Sequence, residues 1–586
     1  MRLPCILLLA ISLLISSCSN QPVQSGKQLI GSAIATNSNA IVVTANPLAT
    51  DAGAEVIRGG GSAIDAAIAV QAVLGLVEPQ SSGLAGGAFM TYFDNQNKQV
   101  MIYDGRELAP ESVSDSIFLD DQGESIGFLK AKNSGLSTGI PGVVSLLHMA
   151  HQDHGRLDWS SNFEAAKKVA IEGFAISPRL HMLLSRFGKY LPSSREQGPT
   201  DAYQYFFNQN GELHPQGFIL KNPSYARSLE LIAADPRDFY QGVIADQIIE
   251  QINQPPRAGR MKKSDLATFS AKRREAICVA YKDKTLCGPP PPSSWLAVAM
   301  IMRVTESLPM FSSLNSKDPK AWKYFAEAQR LVYADRDRYV ADAEKVDVPI
   351  NGLLHPEYLQ NRAQLIQKNS AISEITAGDP WEYENDKGEM AGNDATYDAA
   401  GTTHFVIVDQ QGNVVSMTSS VESIFGSTRM AGGMFLNNQL TDFSFKALDE
   451  QGNKIANSAE AGKHPRSSMS PTIVLDENGE FLMATGSPGG NSIIAYTAKT
   501  LLGILEWGLS PEQTAALPNL VARGDKVRIE KDVASQEIIN GLRDYGHQVK
   551  ESAGENSGVS IVVRDSDGRL SGAADPRREG VVEIID

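Results

Sequence analysis

The chain has 586 residues and a formal net charge of −15 at pH 7. The length by itself favours several domains, but only weakly. The acidic balance argues against a nucleic-acid-binding protein, which would present basic patches, and it favours solubility.

The N-terminal residues are predicted to be an export signal. An apolar run at 6–15 follows Met1-Arg2 and is too short to span a bilayer, as in a signal-peptide core. The run ends at Ile15-Ser16-Ser17-Cys18, which resembles a bacterial lipoprotein cleavage box. We expect a signal peptide over 1–18 that ends at a lipidated Cys18, and a polar tether over 19–39. An ordinary secretory signal with an incidental Cys18 is the alternative.

The expected location follows from this box. The residue after Cys18 is Ser19, whereas an Asp at this position would favour the inner membrane. We therefore expect a periplasmic protein held at the outer membrane of a Gram-negative-type bacterium. No other run is long and apolar enough to cross a bilayer. Contact with the membrane is therefore expected only through the lipid anchor.

The residues after the tether are predicted to alternate between strands and helices. Ser62 with Asp65 three residues later resembles a helix cap, so a small-residue helix is expected at Ala63–Val77. Arg106 follows the second strand of a predicted pair, at the end away from the turn that joins the two strands. The other elements expected here are a strand at 40–45, a helix at 48–58 and the strand pair at 89–93 and 99–103.

Two cysteines follow the signal, Cys278 and Cys287, on either side of a predicted turn at 282–284. An exported chain meets an oxidising compartment, so a disulfide between them is plausible. Two cysteines without clustered histidines offer too few ligands for a metal site. Neither a metal nor a cofactor is expected.

The middle of the chain is predicted to be mostly helical. Helical runs alternate with loops over 130–375, and Asp318-Pro319 begins a long amphipathic helix that reaches about Asp337. The segment 378–401 is polar and weakly hydrophobic, and it is predicted to be mobile.

Thr402 heads the next predicted strand. The pentad Asp409-Gln410-Gln411-Gly412-Asn413 suits a three-residue hairpin loop with Gly412 in the left-handed position. If Asp409 faces Asn413, Thr402 faces Ser420 on the returning strand. Directly opposite residues share one face of a sheet, so a second hydroxyl is expected beside that of Thr402.

A second hairpin is predicted from 471–475 and 481–485. In the predicted register Ser468 falls near Pro488. The loops that contain Ser467-Ser468 and Pro488-Gly489-Gly490 are therefore expected at the same open end.

Several motifs, in order, resemble the γ-glutamyltransferase (glutathione hydrolase) family of N-terminal nucleophile hydrolases. They are 402–409, 435–444, 467–472 and 486–490, and the similarity extends from about Ala40 to the C-terminus. The resemblance implies an α+β fold, a four-layer α-β-β-α sandwich. It also implies self-cleavage between Gly401 and Thr402, which would give a large subunit 40–401, a small subunit 402–586 and a heterodimer of the two.

The resemblance also implies the catalytic groups. Thr402 would be the nucleophile and its freed α-amino group the base, since a hydroxyl needs one. Ser420, where the family usually has Thr, would fix the Thr402 rotamer. Gly489 and Gly490 match the family's oxyanion-hole pair, and each backbone donor of this kind is worth about 3 kcal/mol.

The substrate-binding residues are carried over in the same way. Arg106, Ser467 and Ser468 would bind the α-carboxylate of a γ-glutamyl group, and Gln439 and Asp442 its ammonium. Two positions depart from the family. Glu422 stands where Asn is common; it can still accept from the ammonium, but it adds a charge. Trp295-Leu296 stands where Gly-Gly is usual, and Trp295 would lie either at the pocket rim or in packing. The loop after Asp442 lacks an aromatic residue beyond Phe445, so an open site is expected.

The expected function is hydrolysis or transfer of γ-glutamyl groups. The donors would be glutathione and other γ-glutamyl compounds, and the acyl group would pass through an ester on Thr402 to water, amino acids or peptides. A glutaryl-type amide acylase of the same family is the alternative enzyme. An inactive lipoprotein that serves as a binding module is the alternative from another class.

Overall fold

A computed structural model describes residues 32–34, 40–195, 198–308, 310–386, 388, 390–396, 401–554 and 556–585. The predicted signal peptide, Cys18 and most of the tether lie outside these ranges. Within the described residues, no helix has the length and apolar character needed to cross a membrane.

Two seven-stranded antiparallel sheets form the centre of the fold. In spatial order, the first sheet consists of Val581–Ile585, Ala40–Thr44, Gly401–Val408, Val414–Glu422, Gly87–Asp94, Gln99–Gly105 and Lys272–Glu275. The second consists of Ser32–Ile34, Leu570–Ala574, Ser560–Arg564, Phe481–Gly486, Thr472–Leu475, Lys284–Gly288 and Ile277–Tyr281. Each sheet contains strands from both sides of the Gly401–Thr402 bond, so neither predicted subunit forms either seven-stranded sheet by itself.

The apolar faces of the two sheets pack against each other. The core between them includes the β-branched residues Val43, Val406, Ile473 and Val562. Helices cover the two outer faces. The first sheet carries Pro47–Arg58, Ala63–Val77, Val143–His154, Glu164–Glu172, Pro178–Phe187, Pro223–Ala234 and Val243–Ile252. The second carries Trp295–Glu306, Pro319–Tyr339, Pro356–Gln364, Ile493–Leu505 and Gln536–Asp544. The expected α+β, four-layer sandwich is confirmed.

Smaller elements complete the chain. The short helices are Phe128–Lys132, Asp201–Phe206, Asp238–Gln241, Lys263–Ala267, Ile350–Leu354 and Pro511–Ala516. A three-stranded sheet consists of Leu520–Arg523, Lys526–Glu530 and Gln548–Ser552. Two-stranded pairs are Phe174–Ala175 with Ile219–Leu220, Ser194–Arg195 with Gly198–Pro199, and Met430–Ala431 with Met434–Phe435.

Local sequence signals predicted several of these elements. The Ser62 hydroxyl and the Asp65 carboxylate form a reciprocal cap at the start of Ala63–Val77. The long helix begins at Pro319, as expected, and ends at Tyr339. Cys278 and Cys287 face each other across their hairpin and form the predicted disulfide.

The register predicted for the second hairpin is wrong by one residue over most of its length. Thr472 pairs with Thr485, and a bulge beside Leu475 shifts the register near the turn. The extra residue of a bulge cannot be read from turn composition alone. The two loops beyond this hairpin nevertheless lie at one end, as expected.

Candidate active site

Thr402 lies directly opposite Ser420, in the register predicted from the turn. The two hydroxyl oxygens are 3.1 Å apart, and the Ser420 hydroxyl donates to the carbonyl oxygen of Gly401 at 2.8 Å. Since the single Ser420 proton is used there, Thr402 is the donor between the two hydroxyls. The Thr402 oxygen is thus held beside the peptide bond that precedes it, and Ser420 polarises the carbonyl of that bond.

The backbone encloses the Gly401–Thr402 bond tightly. The strand register shifts between these two residues, and Glu422, the partner of Gly401, has φ +76°. A Cβ added at Gly401 would lie 2.5 Å from the carbonyl oxygen of Glu422 and from the carbonyl carbon of Ser423. Only glycine fits this position without displacing backbone.

We expect Gly401→Ala to slow cleavage of this bond at least about tenfold, because the added methyl must move the polarised carbonyl away from Thr402 and Ser420. A time course of the freshly purified chain on a denaturing gel measures the rate. Gly83→Ala is the control, since a Cβ at Gly83 would touch nothing closer than 4.0 Å. Equal rates for Gly401→Ala and the unmodified chain would contradict the enclosure described here.

Arg578 holds the other side of Thr402. Its guanidinium donates to the carbonyl oxygens of Thr402 at 3.0 Å, Ser557 at 3.0 Å and Asn556 at 3.1 Å. Sequence reasoning missed Arg578, and no spacing or motif could have linked it to a residue so far away in the chain. It holds the backbone of the predicted nucleophile from a position near the C-terminal end of the sequence.

A cavity of about 20 Å³ opens beside the two hydroxyls, and we call it the Thr402 cavity. Its lining residues are Arg106, Thr402, Ser420, Glu422, Gln439, Asp442, Ser467, Ser468, Met469, Gly490 and Ile493. All the predicted catalytic and substrate-binding residues except Gly489 are among them. None of the polar residues among them is more than 4% exposed, so the cavity is closed in the uncut chain and the expected open site is not seen there.

Arg106 and Asp442 pair directly with each other in this cavity. The Arg106 Nη2 lies 2.6 Å from the Asp442 Oδ2, and Gln439 Nε2 donates to the same oxygen at 2.5 Å. The guanidinium also donates to the carbonyl oxygens of Pro465 at 3.0 Å and Arg466 at 2.7 Å. Two groups predicted to bind the two charged groups of one substrate therefore pair with each other in the uncut chain.

The two predicted serines also line the cavity. The Ser468 hydroxyl accepts from Arg336 Nη2 at 2.8 Å, and the Ser467 hydroxyl accepts from the backbone N–H of Met469 at 3.1 Å. Both hydroxyl oxygens therefore act as acceptors in this structure. Arg336, which sequence reasoning missed, reaches the site from the helix Pro319–Tyr339.

Glu422 adds a carboxylate to the wall near Asp442. It accepts from the Ser423 hydroxyl at 2.5 Å and from the side-chain amide of Asn438. Burial lowers the pKa of Lys132 to about 8, although the negative charge of Glu422 opposes this shift. Lys132 donates to the carbonyl oxygen of Ile424 at 3.0 Å. Glu422, which stands where the family commonly has Asn, thus has the lysine side chain of Lys132 close enough to interact with its charge.

Glu107 lies behind Arg106 and is fully buried. Its carboxylate is 3.5 Å from Arg106 Nη1, and a Cβ at Gly87 would collide with it. Burial raises the pKa of Glu107 to about 7, although the Arg106 charge opposes the shift. Sequence reasoning missed Glu107, although it follows Arg106 directly.

Gly489 and Gly490 begin the turn that leads into the helix Ile493–Leu505. Their φ values are +142° and +57°, and a Cβ at Gly489 would lie 2.6 Å from the ring of Tyr496. Gly490 and Ile493 line the Thr402 cavity, so the N-terminal end of this helix borders it. Backbone N–H groups at such an end favour developing negative charge.

His404 and Trp295 are buried and make hydrogen bonds inside the protein. His404 is buried and bonds the Thr418 hydroxyl, and burial lowers its pKa to about 3. It therefore stays neutral. Trp295 is fully buried, donates to the Thr472 hydroxyl at 3.0 Å and does not line the Thr402 cavity. Of the two interpretations of Trp295, the structure supports packing.

A family model described as gamma-glutamyltranspeptidase matches residues 49–585. The chain belongs to the γ-glutamyltranspeptidase family. It is 32% identical to the glutathione hydrolase proenzyme of Bacillus subtilis strain 168 over 549 residues, which cover 92% of this chain and 90% of that protein. It is also 32% identical to the glutathione hydrolase proenzyme of Escherichia coli K12 over 550 residues, with the same two coverages.

The fold also resembles that of a solved acylase. The cephalosporin acylase from Bacillus halodurans superimposes with a TM-score of 0.79 at 22% identity, over 98% of this chain and all of that one. This likeness concerns the fold alone. The assignment to the γ-glutamyltranspeptidase family rests on the family model and on the two bacterial hydrolases.

Proposed function

We propose that this protein cleaves itself between Gly401 and Thr402 and then hydrolyses or transfers γ-glutamyl groups. The observation that carries the proposal is the Thr402 hydroxyl beside the Gly401 carbonyl, which Ser420 polarises. Attack by the Thr402 oxygen on the Gly401 carbonyl carbon and breakage of the C–N bond would move the acyl group from nitrogen to oxygen. The hydroxyl proton would pass to the released amine, and water would cleave the ester.

The cleaved form would contain its own base. The free α-amino group of Thr402 has a reference pKa of about 7.7–8.0, so it is partly neutral near neutral pH. It could take the proton of the Thr402 hydroxyl as that oxygen attacks the γ-glutamyl carbonyl. The N–H groups of Gly489 and Gly490 would stabilise the oxyanion, and collapse would release the amine and leave a γ-glutamyl ester. Water or the amine of an amino acid or peptide would then take the acyl group.

The ion pair between Arg106 and Asp442 suggests how a donor is recognised. A γ-glutamyl group presents a carboxylate and an ammonium on one carbon. Inserted between the two residues, it would give its carboxylate to Arg106 and the serine hydroxyls, and its ammonium to Asp442, Gln439 and Glu422. Each buried charge would exchange one partner for another, which avoids the penalty of an unpaired buried charge.

The proposed donors are glutathione and other γ-glutamyl amides, and the two cleavage fragments would form a heterodimer. Amine release from a panel of γ-glutamyl and glutaryl amides tests the proposal. Release from the γ-glutamyl amides is the expected result. Release from the glutaryl amides alone would favour the acylase, and release from neither would favour the inactive binding module.

The location is a separate proposal. If Cys18 is lipidated, Cys18→Ala should move the protein from the membrane fraction to the soluble periplasmic fraction, because its only membrane contact would be lost. Fractionation and the mass of the N-terminal peptide measure this. Unchanged fractionation together with a peptide that has no lipid mass would rule out the anchor.

A further inference from the structure

Part of the segment before the cleavage site is attached to the loop that follows Asp442. The backbone N–H of Gly392 donates to the Lys454 carbonyl at 2.8 Å, and Gly392 forms a parallel bridge with Ile455. The N–H of Asn393 donates to the Asp449 carboxylate at 3.1 Å. This part of the predicted mobile linker is therefore held in the uncut chain. Residues 397–400 lie outside the described residues.

Asp394 anchors this attachment with a buried charge. Its carboxylate lies 2.8 Å from the Arg466 Nη2 and accepts from the Asn457 side-chain amide at 3.0 Å. Asp394 is 4% exposed and Arg466 is 1% exposed. The Arg466 Nη2 also lies 3.9 Å from the Asp337 Oδ1, so loss of the Asp394 charge would remove the nearer of these two carboxylates from a buried cation.

Asn457 and Arg466 connect this anchor to both members of the ion pair in the Thr402 cavity. The Asn457 side chain donates to the Asp442 carbonyl at 2.7 Å and accepts from the Arg466 N–H at 3.0 Å. The Arg466 carbonyl accepts from Arg106 at 2.7 Å. Asp394 itself does not line the Thr402 cavity.

We propose that Asp394 is a positioning residue that holds Arg106 and Asp442 at their binding geometry across the future chain break. The proposal rests on the proposed function. Asp394 lies in the large subunit, eight residues before Thr402, and its two partners lie in the small subunit. The contacts of 392–394 do not involve the Gly401–Thr402 bond. The proposal requires that these contacts persist after cleavage, while the residues beyond Asp394 are released.

The kinetic test compares Asp394→Asn with the unmodified enzyme after both have cleaved themselves. We expect KM for a γ-glutamyl anilide to rise at least about tenfold with kcat changed less than about twofold, because a group that only positions the binding pair affects binding. Asn393→Ala is the matched control, since only the backbone of Asn393 makes the contact. Arg466→Met should raise KM similarly, and the double variant should add little, as expected for contacting residues. An unchanged KM in Asp394→Asn would overturn the proposal.

Hydrogen–deuterium exchange provides a test that needs no substrate and no variant. In the cleaved, unmodified protein, the Gly392 and Asn393 amides of the peptide over 390–396 should exchange at least about tenfold more slowly than in an unprotected chain, since both N–H groups stay bonded. Exchange of this peptide at the unprotected rate would show that cleavage releases the anchor and would overturn the proposal. Failure to turn over any γ-glutamyl amide would instead contradict the proposed function, and the exchange result would still decide the role of Asp394.

Discussion

Thr402→Ala should remain one uncut chain and should lose at least about 10⁴-fold of the amidase activity of the cleaved enzyme. Without the hydroxyl, the polarised Gly401 carbonyl has no attacking oxygen, and the α-amine of residue 402 is never released. Nucleophile and base are lost together, so the loss is larger than for a residue that only binds substrate.

A denaturing gel and N-terminal sequencing measure this outcome. The unmodified protein should give two fragments, the smaller one starting at Thr402. Thr402→Ser is the matched control, because it keeps a hydroxyl beside Ser420 and should still be cut. A small fragment that starts at another residue would contradict the assignment of Thr402.

The unmodified enzyme should cleave γ-glutamyl anilide at least about a hundredfold better, in kcat/KM, than glutaryl anilide. The two compounds differ by the α-ammonium. A glutaryl group that separates Arg106 from Asp442 would leave Asp442 and Glu422 as buried carboxylates without a cation from the substrate. Sites built around a polar group reject analogues that lack it.

Two substitutions divide this preference between its causes. Asp442→Ala should erase most of it, because the main partner of the ammonium is lost. Arg106→Ala should weaken both substrates, since both have a carboxylate. Equal or better turnover of the glutaryl compound by the unmodified enzyme would overturn the γ-glutamyl proposal in favour of the acylase.

The sequence predicted those parts of the site that depend on local geometry. The turn at Asp409–Asn413 defines the register of its hairpin, and this register places Thr402 opposite Ser420. The second hairpin has a turn of similar composition, but the bulge beside Leu475 shifts its register. Turn residues predict a register only where no extra residue interrupts the ladder.

Contacts between distant residues were not predictable in this way. Arg578 reaches the Thr402 carbonyl, and Asp394 pairs with Arg466, because the fold brings together segments that are far apart in the sequence. The polar composition of 378–401 predicted mobility, but a buried ion pair holds part of it. Likewise, the bulk of Trp295 could not show whether it faced the site or the core until its partner Thr472 was known.

The most direct test of the central claim is the mass of the small fragment after the cleaved enzyme is mixed with a slowly turned-over γ-glutamyl amide and quenched with acid. The account predicts that one γ-glutamyl group is added and that, after proteolysis, it is found on the peptide that begins with Thr402. The glutaryl compound at the same concentration and quench time should give much less of the corresponding glutaryl adduct, in line with its at least about hundredfold lower kcat/KM. A γ-glutamyl adduct on any other residue, or turnover of the donor with no adduct on Thr402 under any quench time, would contradict the account.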